Sequence, residues 1–494
     1  MQNKLPAILI LLVLLPLLRA AHGQTSPAIE QFLRHKYMQG ASFSFVARDV
    51  HSGEILYASD AGRRMTPASV LKLVTTATAL ELLGAEYRFT TTLEYDGTIA
   101  NGILRGNLYI KGSGDPTLGS SHFASDRGSE APGRNTFIAS WIDALRKHGI
   151  RQITGSVIAD ESIFDSEGVS MKWMREDLGS YYGAGCYGLS VFDNLYSLSV
   201  HTGAPGSRPE IVSCRPAIPG LRFHNYLTSA PVTTDSSFIT GLPFSNDRYL
   251  YGALPANRRH FPLRGDIPDP PLFLAQYLHE CLQQEGIRVK GGPSCFRLLQ
   301  QANKWPATER KTLTTTYSPP LREIIRITNQ RSHNLYAEAL LKALGATQYR
   351  PKPGEVISST GKGLEVVRAH WQEKGFDASL WMSDGSGLAI SNKVTAASIC
   401  ELLAYMATEA RQGEVFVASL PRAGLEGTVA GILKDSALQG KARLKSGGMS
   451  RVRTYAGYIT RENRPCAVAL FAQDYSCTMQ EITKEIEILL LSLF

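Results

Sequence analysis

The spacing of apolar and polar residues divides the chain into three textures. Near the start, Ser42–Arg48 and Glu54–Ala58 read as strands around the polar turn Asp49–Gly53, a hairpin signal. Pro27–Tyr37 before them reads as a short helix. Thr66-Pro67 then opens a helix predicted to run to Leu83, with Pro67 at the first helical position and Gly84 just past the end. From Tyr87 to about Gly265 the elements are short. Strands such as Asn107–Lys111 and Gln152–Ala159 alternate with Gly, Pro and Ser turns, a helix Thr136–His148 lies between them, and 203–219 and 229–255 are loop-rich. Helical spacing returns in Pro271–Gln284, Ser318–Thr328 and Asn334–Leu344. The last part predicts three antiparallel strands, Ala442–Leu444, Thr454–Thr460 and Ala467–Gln473, with Glu462-Asn463 in the final turn. A helix over Thr478–Phe494 closes the chain, and its Glu481, Lys484, Glu485 and Glu487 argue against a membrane span. The outline is an α/β domain split by a long insertion.

Composition narrows the class. The 494 residues are 43% apolar and 19% charged, which excludes disorder and exceeds the roughly 250–300 residues that one core usually fills. Lys and Arg outnumber Asp and Glu by 52 to 44, a formal charge of +8, but no block of consecutive basic residues accompanies the excess. A nucleic-acid partner is therefore not expected. Residues 1–23 read as an export signal: Lys4, the apolar run Leu5–Leu18, then Ala21-His22-Gly23 with small residues flanking a cut before Gln24. The run is shorter than the about 20 residues needed to cross a bilayer. The expectation is an exported, periplasmic protein without a stable membrane span. Seven cysteines (186, 214, 281, 295, 400, 466 and 477) permit disulfides there, and Cys281 with Cys295 is a candidate pair. No CxxC, HxxxH or HExxH spacing occurs, so neither metal nor cofactor is expected.

The chain also lacks a G-x-S-x-G elbow, a P-loop and a strand-borne G-x-G-x-x-G. What it has is a serine–lysine pattern. In Ser69-Val-Leu-Lys72 the spacing of three puts both side chains on one helix face. A serine hydroxyl needs a base to become a nucleophile, and a lysine serves when burial or a neighbouring cation lowers its pKa. Ser359-Thr-Gly-Lys362 has the same spacing, so the pattern alone carries little. Two further elements change the picture: Ser332-His-Asn334 is the only S-x-N, and Lys445-Ser446-Gly447 the only K-[ST]-G. Each has a plain structural alternative, Ser332 as a cap on the helix that follows and Lys445 on an exposed strand edge. Their order, on a helix, at a helix start and on a strand before Gly447-Gly448, is that of one known site.

The triplet resembles the active site of the penicillin-recognising serine DD-peptidases. The long gap between its first two elements is similar to that of the class C low-molecular-mass penicillin-binding proteins, which are D-alanyl-D-alanine carboxypeptidases and endopeptidases. GNLYIKGSGDP (106–116), WMREDL (173–178), SDGSGL (383–388) and GLEGT (424–428) are similar to segments of the same family. The resemblance implies the transpeptidase-like fold of DD-peptidases and serine β-lactamases, an antiparallel sheet with helices on both sides. It would comprise residues 24–87 and 267–494, split by an inserted α/β module over 88–266 with room for two nested subdomains.

It also implies roles. Ser69 would attack the carbonyl of the penultimate D-alanine and Lys72 would take its proton. Ser332 would pass a proton to the leaving amine, and Asn334 would hold the donor's amide. Lys445 would keep positive potential over the site and lower the pKa of Lys72. Ser446 would bind the substrate carboxylate on the Gly447 strand, and the N–H groups of Ser69 and Gly448 would form the oxyanion hole. Partners implied are peptidoglycan stem peptides, with β-lactams as covalent inhibitors. The family commonly has K-T-G-T where this chain has K-S-G-G, so Gly448 offers no hydroxyl to a terminal carboxylate and the balance tilts toward endopeptidase activity. Asp160 is similar to the inserted-domain residue that reaches the substrate's amino side chain, and reads equally well as a turn aspartate. Asp115 and Asp384 are expected to be structural, Trp173 to anchor a loop, and His333 to be without a catalytic role. Two other readings compete: a β-lactamase-like hydrolase with fast deacylation, and a weakly active wall-binding scaffold.

Overall fold

The computed structural model describes residues 26–123, 136–306, 308–351, 354–376, 380–462 and 464–494. The export signal expected over 1–23 lies outside them, as does Asn463 of the predicted last turn. The chain divides into two compact units. One takes the chain up to Val70, Gly375–Trp381 and Asn392–Phe494, and the other takes Leu71–Lys374 and Met382–Ser391.

The first unit is built on a five-stranded antiparallel sheet, in the order Ile55–Ser59, Ser42–Asp49, Arg464–Gln473, Val452–Arg461, Ala442–Met449. Phe43, Phe45 and Ala47 pack in one core with Ile29 and Phe32 of helix Pro27–Arg34 and Ile482, Ile486 and Leu489 of helix Met479–Leu493. Helix Ala396–Thr408 covers the other face, where the Tyr458 hydroxyl donates to Leu403 O at 2.7 Å and the Cys400 thiol reaches Val46 O. The sheet with helices on both sides is the expected architecture. Its C-terminal strands are longer than predicted because they are buried on both faces, which erases the apolar–polar alternation that marks a strand. The first helix ends early, at Arg34, and a 3-10 turn, Lys36–Met38, finishes the predicted segment.

Two cores stand out in the second unit. One gathers Leu108, Ile110, Trp141, Leu145, Val157, Phe273 and Leu278, from helices Thr136–Lys147 and Pro270–Gln284 and a mixed sheet ordered Ser294–Cys295, Val157–Asp160, Leu108–Gly112, Thr90–Tyr95, Lys311–Tyr317. This core thus continues past residue 266. The predicted strand Gln152–Ala159 is broken at Gly155, leaving Gln152–Ile153 in one sheet and Val157–Asp160 in another. A smaller core, with Tyr196, Leu198, Val200, Leu250 and Leu263, is fastened by the buried pair Arg248–Asp266 at 2.7 Å. Helices Lys72–Leu83, Leu321–Arg331, Asn334–Gln348 and Ser359–Glu373 complete the unit. No helix among the described residues is long and apolar enough to cross a membrane.

Two expectations are corrected. The helix predicted to open at Pro67 starts later. Ala68 adopts a left-handed φ of 46°, Ala68–Leu71 form a 3-10 turn, and the α-helix begins at Lys72. Cys281 and Cys295 do not pair; all seven cysteines are free thiols, and these two are buried in the apolar core.

Candidate active site

In the first unit, the strand Ala442–Met449 presents the Lys445-Ser446-Gly447-Gly448 element. Lys445 is fully buried and its Nζ donates to Ser446 O at 2.6 Å. The Ser446 hydroxyl donates to Thr428 Oγ1 at 2.8 Å, which ties the strand to the GLEGT segment. Gly447 has to be glycine. A Cβ there would lie 2.2 Å from Thr454 Oγ1 and 2.9 Å from both Pro67 O and Ser69 N, so the strand runs directly against the backbone that carries Ser69. Thr454 Oγ1 fixes that approach by donating to Pro67 O at 2.8 Å. Ser69, half-buried, sits in the turn Ala68–Leu71 that runs into helix Lys72–Leu83. Gly448 is exposed, and what faces it is the flexible ends of Met479 and Arg453.

In the second unit, Lys72 is the first residue of its helix and is fully buried. Its Nζ donates to Asn334 Oδ1 and to Ser386 O, both at 2.6 Å. Asn334 in turn donates from Nδ2 to Tyr182 O at 2.8 Å. The Ser386 carbonyl is held in place by Glu338, whose carboxylate accepts the N–H groups of Gly385 and Ser386 at 2.8–3.1 Å. Asp384 accepts from the N–H groups of Gly387 and Ala389 and from Trp173 Nε1 at 2.9 Å. Trp173 is therefore the loop anchor that was expected, and the SDGSGL turn is the cradle of Lys72.

This cradle sets the chemistry of the amine. Burial draws the pKa of Lys72 down to about 7, against the Asp384 and Glu338 carboxylates, which raise it. Of the two causes expected, burial and a neighbouring cation, burial leads in the structure. Burial and the neighbouring Asp384 in turn push Glu338 upward.

Ser332 does not cap the helix that follows it. It closes the preceding helix, Leu321–Arg331, from a left-handed conformation (φ 57°, ψ 42°) that non-glycine residues rarely adopt. Ser332, His333 and Asn334 line a cavity of about 1190 Å³, with Tyr181, Asp193 and Arg264 among its other walls.

Asp160 is elsewhere. It is buried, its Oδ2 takes Arg310 Nη1 at 2.6 Å, and its Oδ1 takes the Ser162 N–H. Arg310 is itself stacked on Tyr109 and Trp305. Both oxygens of this carboxylate are therefore engaged within the protein. Asp115 likewise binds its own turn through Thr117. Sequence reasoning missed Glu338: nothing in the spacing of a helix-borne glutamate announces that it braces a turn some fifty residues on.

The family comparison decides what this arrangement belongs to. A model described as the D-Ala-D-Ala carboxypeptidase 3 (S13) family matches residues 25–488. The chain belongs to that family. It is a serine-type D-Ala-D-Ala peptidase, and the likeness to the low-molecular-mass penicillin-binding proteins is borne out. Among curated relatives of this S13 peptidase, a D-alanyl-D-alanine carboxypeptidase of Actinomadura sp. (strain R39) is 29% identical over 444 residues, 87% of this chain and 77% of that protein. Among solved structures, penicillin binding protein 4 from Haemophilus influenzae superposes with a TM-score of 0.78 at 22% identity, covering 95% of this chain and 98% of that one. Its complex with a β-lactam gives 0.73 at 21%, over 94% and 98%. The expected fold is thereby shown.

Proposed function

We propose that this S13 peptidase cleaves D-alanyl-D-alanine termini and D-alanyl cross-links of peptidoglycan stem peptides through an acyl-enzyme on Ser69. The observation that carries the proposal is the buried Lys72 amine, held by Asn334 and Ser386 with its pKa drawn to about 7. A free lysine at neutral pH is almost wholly protonated; lowering it to about 7 raises the basic fraction roughly 10³-fold. Lys72 Nζ takes the Ser69 Oγ proton as Oγ adds to the penultimate D-alanine carbonyl. The oxyanion is met by backbone N–H groups of Ser69 and Gly448, a contribution typically worth roughly 10²–10³ per donor. Collapse breaks the C–N bond, and the proton passes through Ser332 to the leaving amine. Water then enters by the same base and frees the serine.

Lys445 and Ser446 are assigned to the substrate's carboxylate side and Asn334 to the acyl donor's amide. Gly448, without a hydroxyl, weakens selection for a free C-terminal carboxylate, so cross-link cleavage accompanies D-alanine release. β-Lactams, one of which the Haemophilus protein holds in its crystal, acylate the same serine in this reading. The N-terminal signal would deliver the enzyme to the periplasm, with cleavage before Gln24 checkable by N-terminal sequencing of the exported protein.

The test is turnover of purified muropeptides. Wild type should release D-alanine and cut cross-linked dimers, and Ser69→Ala should do neither. Unchanged turnover in Ser69→Ala overturns the assignment.

A further inference from the structure

Beyond the peptidase centre, the cavity wall of the second unit gathers His122, Asp193 and His333. Each offers a ligand atom, and these atoms all lie within 4.8 Å of one another. The three come from distant parts of the chain: the turn after Thr117–Ser120, the turn Phe192–Asn194 and the link between helices Leu321–Arg331 and Asn334–Gln348.

Their placement is built. Phe192, Asp193 and Asn194 are three successive residues in the left-handed region, at φ 55°, 57° and 55°, which non-glycine residues adopt only when the surroundings impose it. Asn194 imposes it here. Its Oδ1 accepts the Val191 N–H at 3.0 Å, and its Nδ2 donates to Gly185 O at 2.8 Å and Ser190 Oγ at 3.0 Å. The Tyr336 hydroxyl lies 2.8 Å from Asp193 Oδ1 and 2.7 Å from Ser120 Oγ, and so orients the carboxylate. The Tyr336 ring also stacks on His333, with centroids 3.8 Å apart. His333 Nε2 faces Asp193 Oδ1 at 3.8 Å, while its Nδ1 is buried with no hydrogen-bond partner among the described residues. His122 approaches edge-on from the exposed side, its ring centroid 5.4 Å from that of His333.

Two imidazoles and one carboxylate, the carboxylate braced by a tyrosine hydroxyl, are the donor set and the outer support of a transition-metal site. Ligand bonds of about 2.0–2.2 Å place tetrahedral donors roughly 3.3–3.6 Å apart, close to the observed His333–Asp193 separation. We propose that His122, Asp193 and His333 bind a divalent ion of the Zn²⁺ class, with the fourth position open to the cavity. Nitrogen donors select such an ion over Mg²⁺ or Ca²⁺, which favour all-oxygen cages. Because His333 is the middle residue of Ser332-His-Asn334, the ion would tie that element to the Asp193 turn. The proposal concerns binding and does not rest on the peptidase mechanism.

The test uses the untagged full chain, stripped with a chelator and dialysed. Calorimetric titration with ZnCl₂ should show one saturable ion at micromolar affinity or tighter, and CoCl₂ should give the strong visible bands of four-coordinate Co²⁺. Removing a ligand should cost more than the 10–100-fold typical of an outer-shell partner, so His122→Ala and His333→Ala should each lose affinity beyond that range. His122 is exposed, so the metal-free His122→Ala variant should melt as wild type does, which separates ligand loss from misfolding. Absence of saturable binding in wild type overturns the site. Wild-type affinity in either variant also overturns it, and would place the ion on other groups such as the free cysteines.

Discussion

Ser69–Lys72 and Ser359–Lys362 share one spacing, and each stands where a helix begins. In the second copy, Ser359 N donates to Asp165 Oδ2 at 2.5 Å while its hydroxyl accepts the Asp165 N–H at 2.9 Å, and Lys362 is half-buried. That serine is spent on joining a helix start to a loop. In the first copy the lysine is wholly buried, grips a side-chain amide and a backbone carbonyl, and has its pKa drawn to about 7. The difference is the surroundings: burial strips the Lys72 amine of water and lowers its pKa toward that of a base.

Mutating the two lysines should separate the copies most widely. Lys72→Ala should slow acylation of Ser69 by about 10²–10⁴, the usual worth of a positioned general base, whereas Lys362→Ala should leave the labelling rate with penicillin unchanged. Equal effects would dissolve the comparison.

The pH profile should sharpen it. The acylation rate should rise with pH through about 7 as Lys72 loses its proton. Glu338 raises that pKa, and Glu338→Gln keeps an oxygen for the Gly385 and Ser386 N–H groups while removing the charge. The rising limb should therefore move to lower pH in the variant; a move to higher pH would mean that Glu338 does not act through charge.

A smaller effect is expected at the decoy serine. Ser359→Ala leaves the Asp165 N–H without its acceptor and should lower stability by about 1 kcal/mol in denaturant titration, with penicillin labelling intact. The smallest concerns Gly448. Its neighbours are flexible side-chain ends, so Gly448→Thr should fold and should shift the ratio of D-alanine release to cross-link cleavage a few-fold toward release. An unchanged ratio would remove this position from specificity.

Much of the first unit was legible because its signals are local. The hairpin 42–59, the three closing strands and the last helix follow from apolar spacing and turn residues within each segment. The three motif elements, Ser69–Lys72, Ser332–Asn334 and Lys445–Gly447, are local in the same sense. What could not be read is set by long-range packing. Buried Lys72 finds its partners at Asn334 and Ser386, more than 260 residues on, and Ser332 owes its left-handed geometry to how one helix ends rather than to how the next begins. Asp160 is bound by Arg310, 150 residues later, and the core around Cys281 and Cys295 leaves them reduced. His122, Asp193 and His333 show no ligand spacing in the sequence, because only the fold brings them within reach of one another.

The central claim, a Ser69 nucleophile served by a desolvated Lys72, is tested most directly by a penicillin-labelling time course on purified protein, with the adduct located by peptide mass spectrometry. A long-lived adduct on Ser69 that forms orders of magnitude more slowly in Lys72→Ala is the predicted result. Rapid loss of the adduct would make the protein a β-lactamase-like hydrolase. An adduct on another serine, or none, would contradict the account.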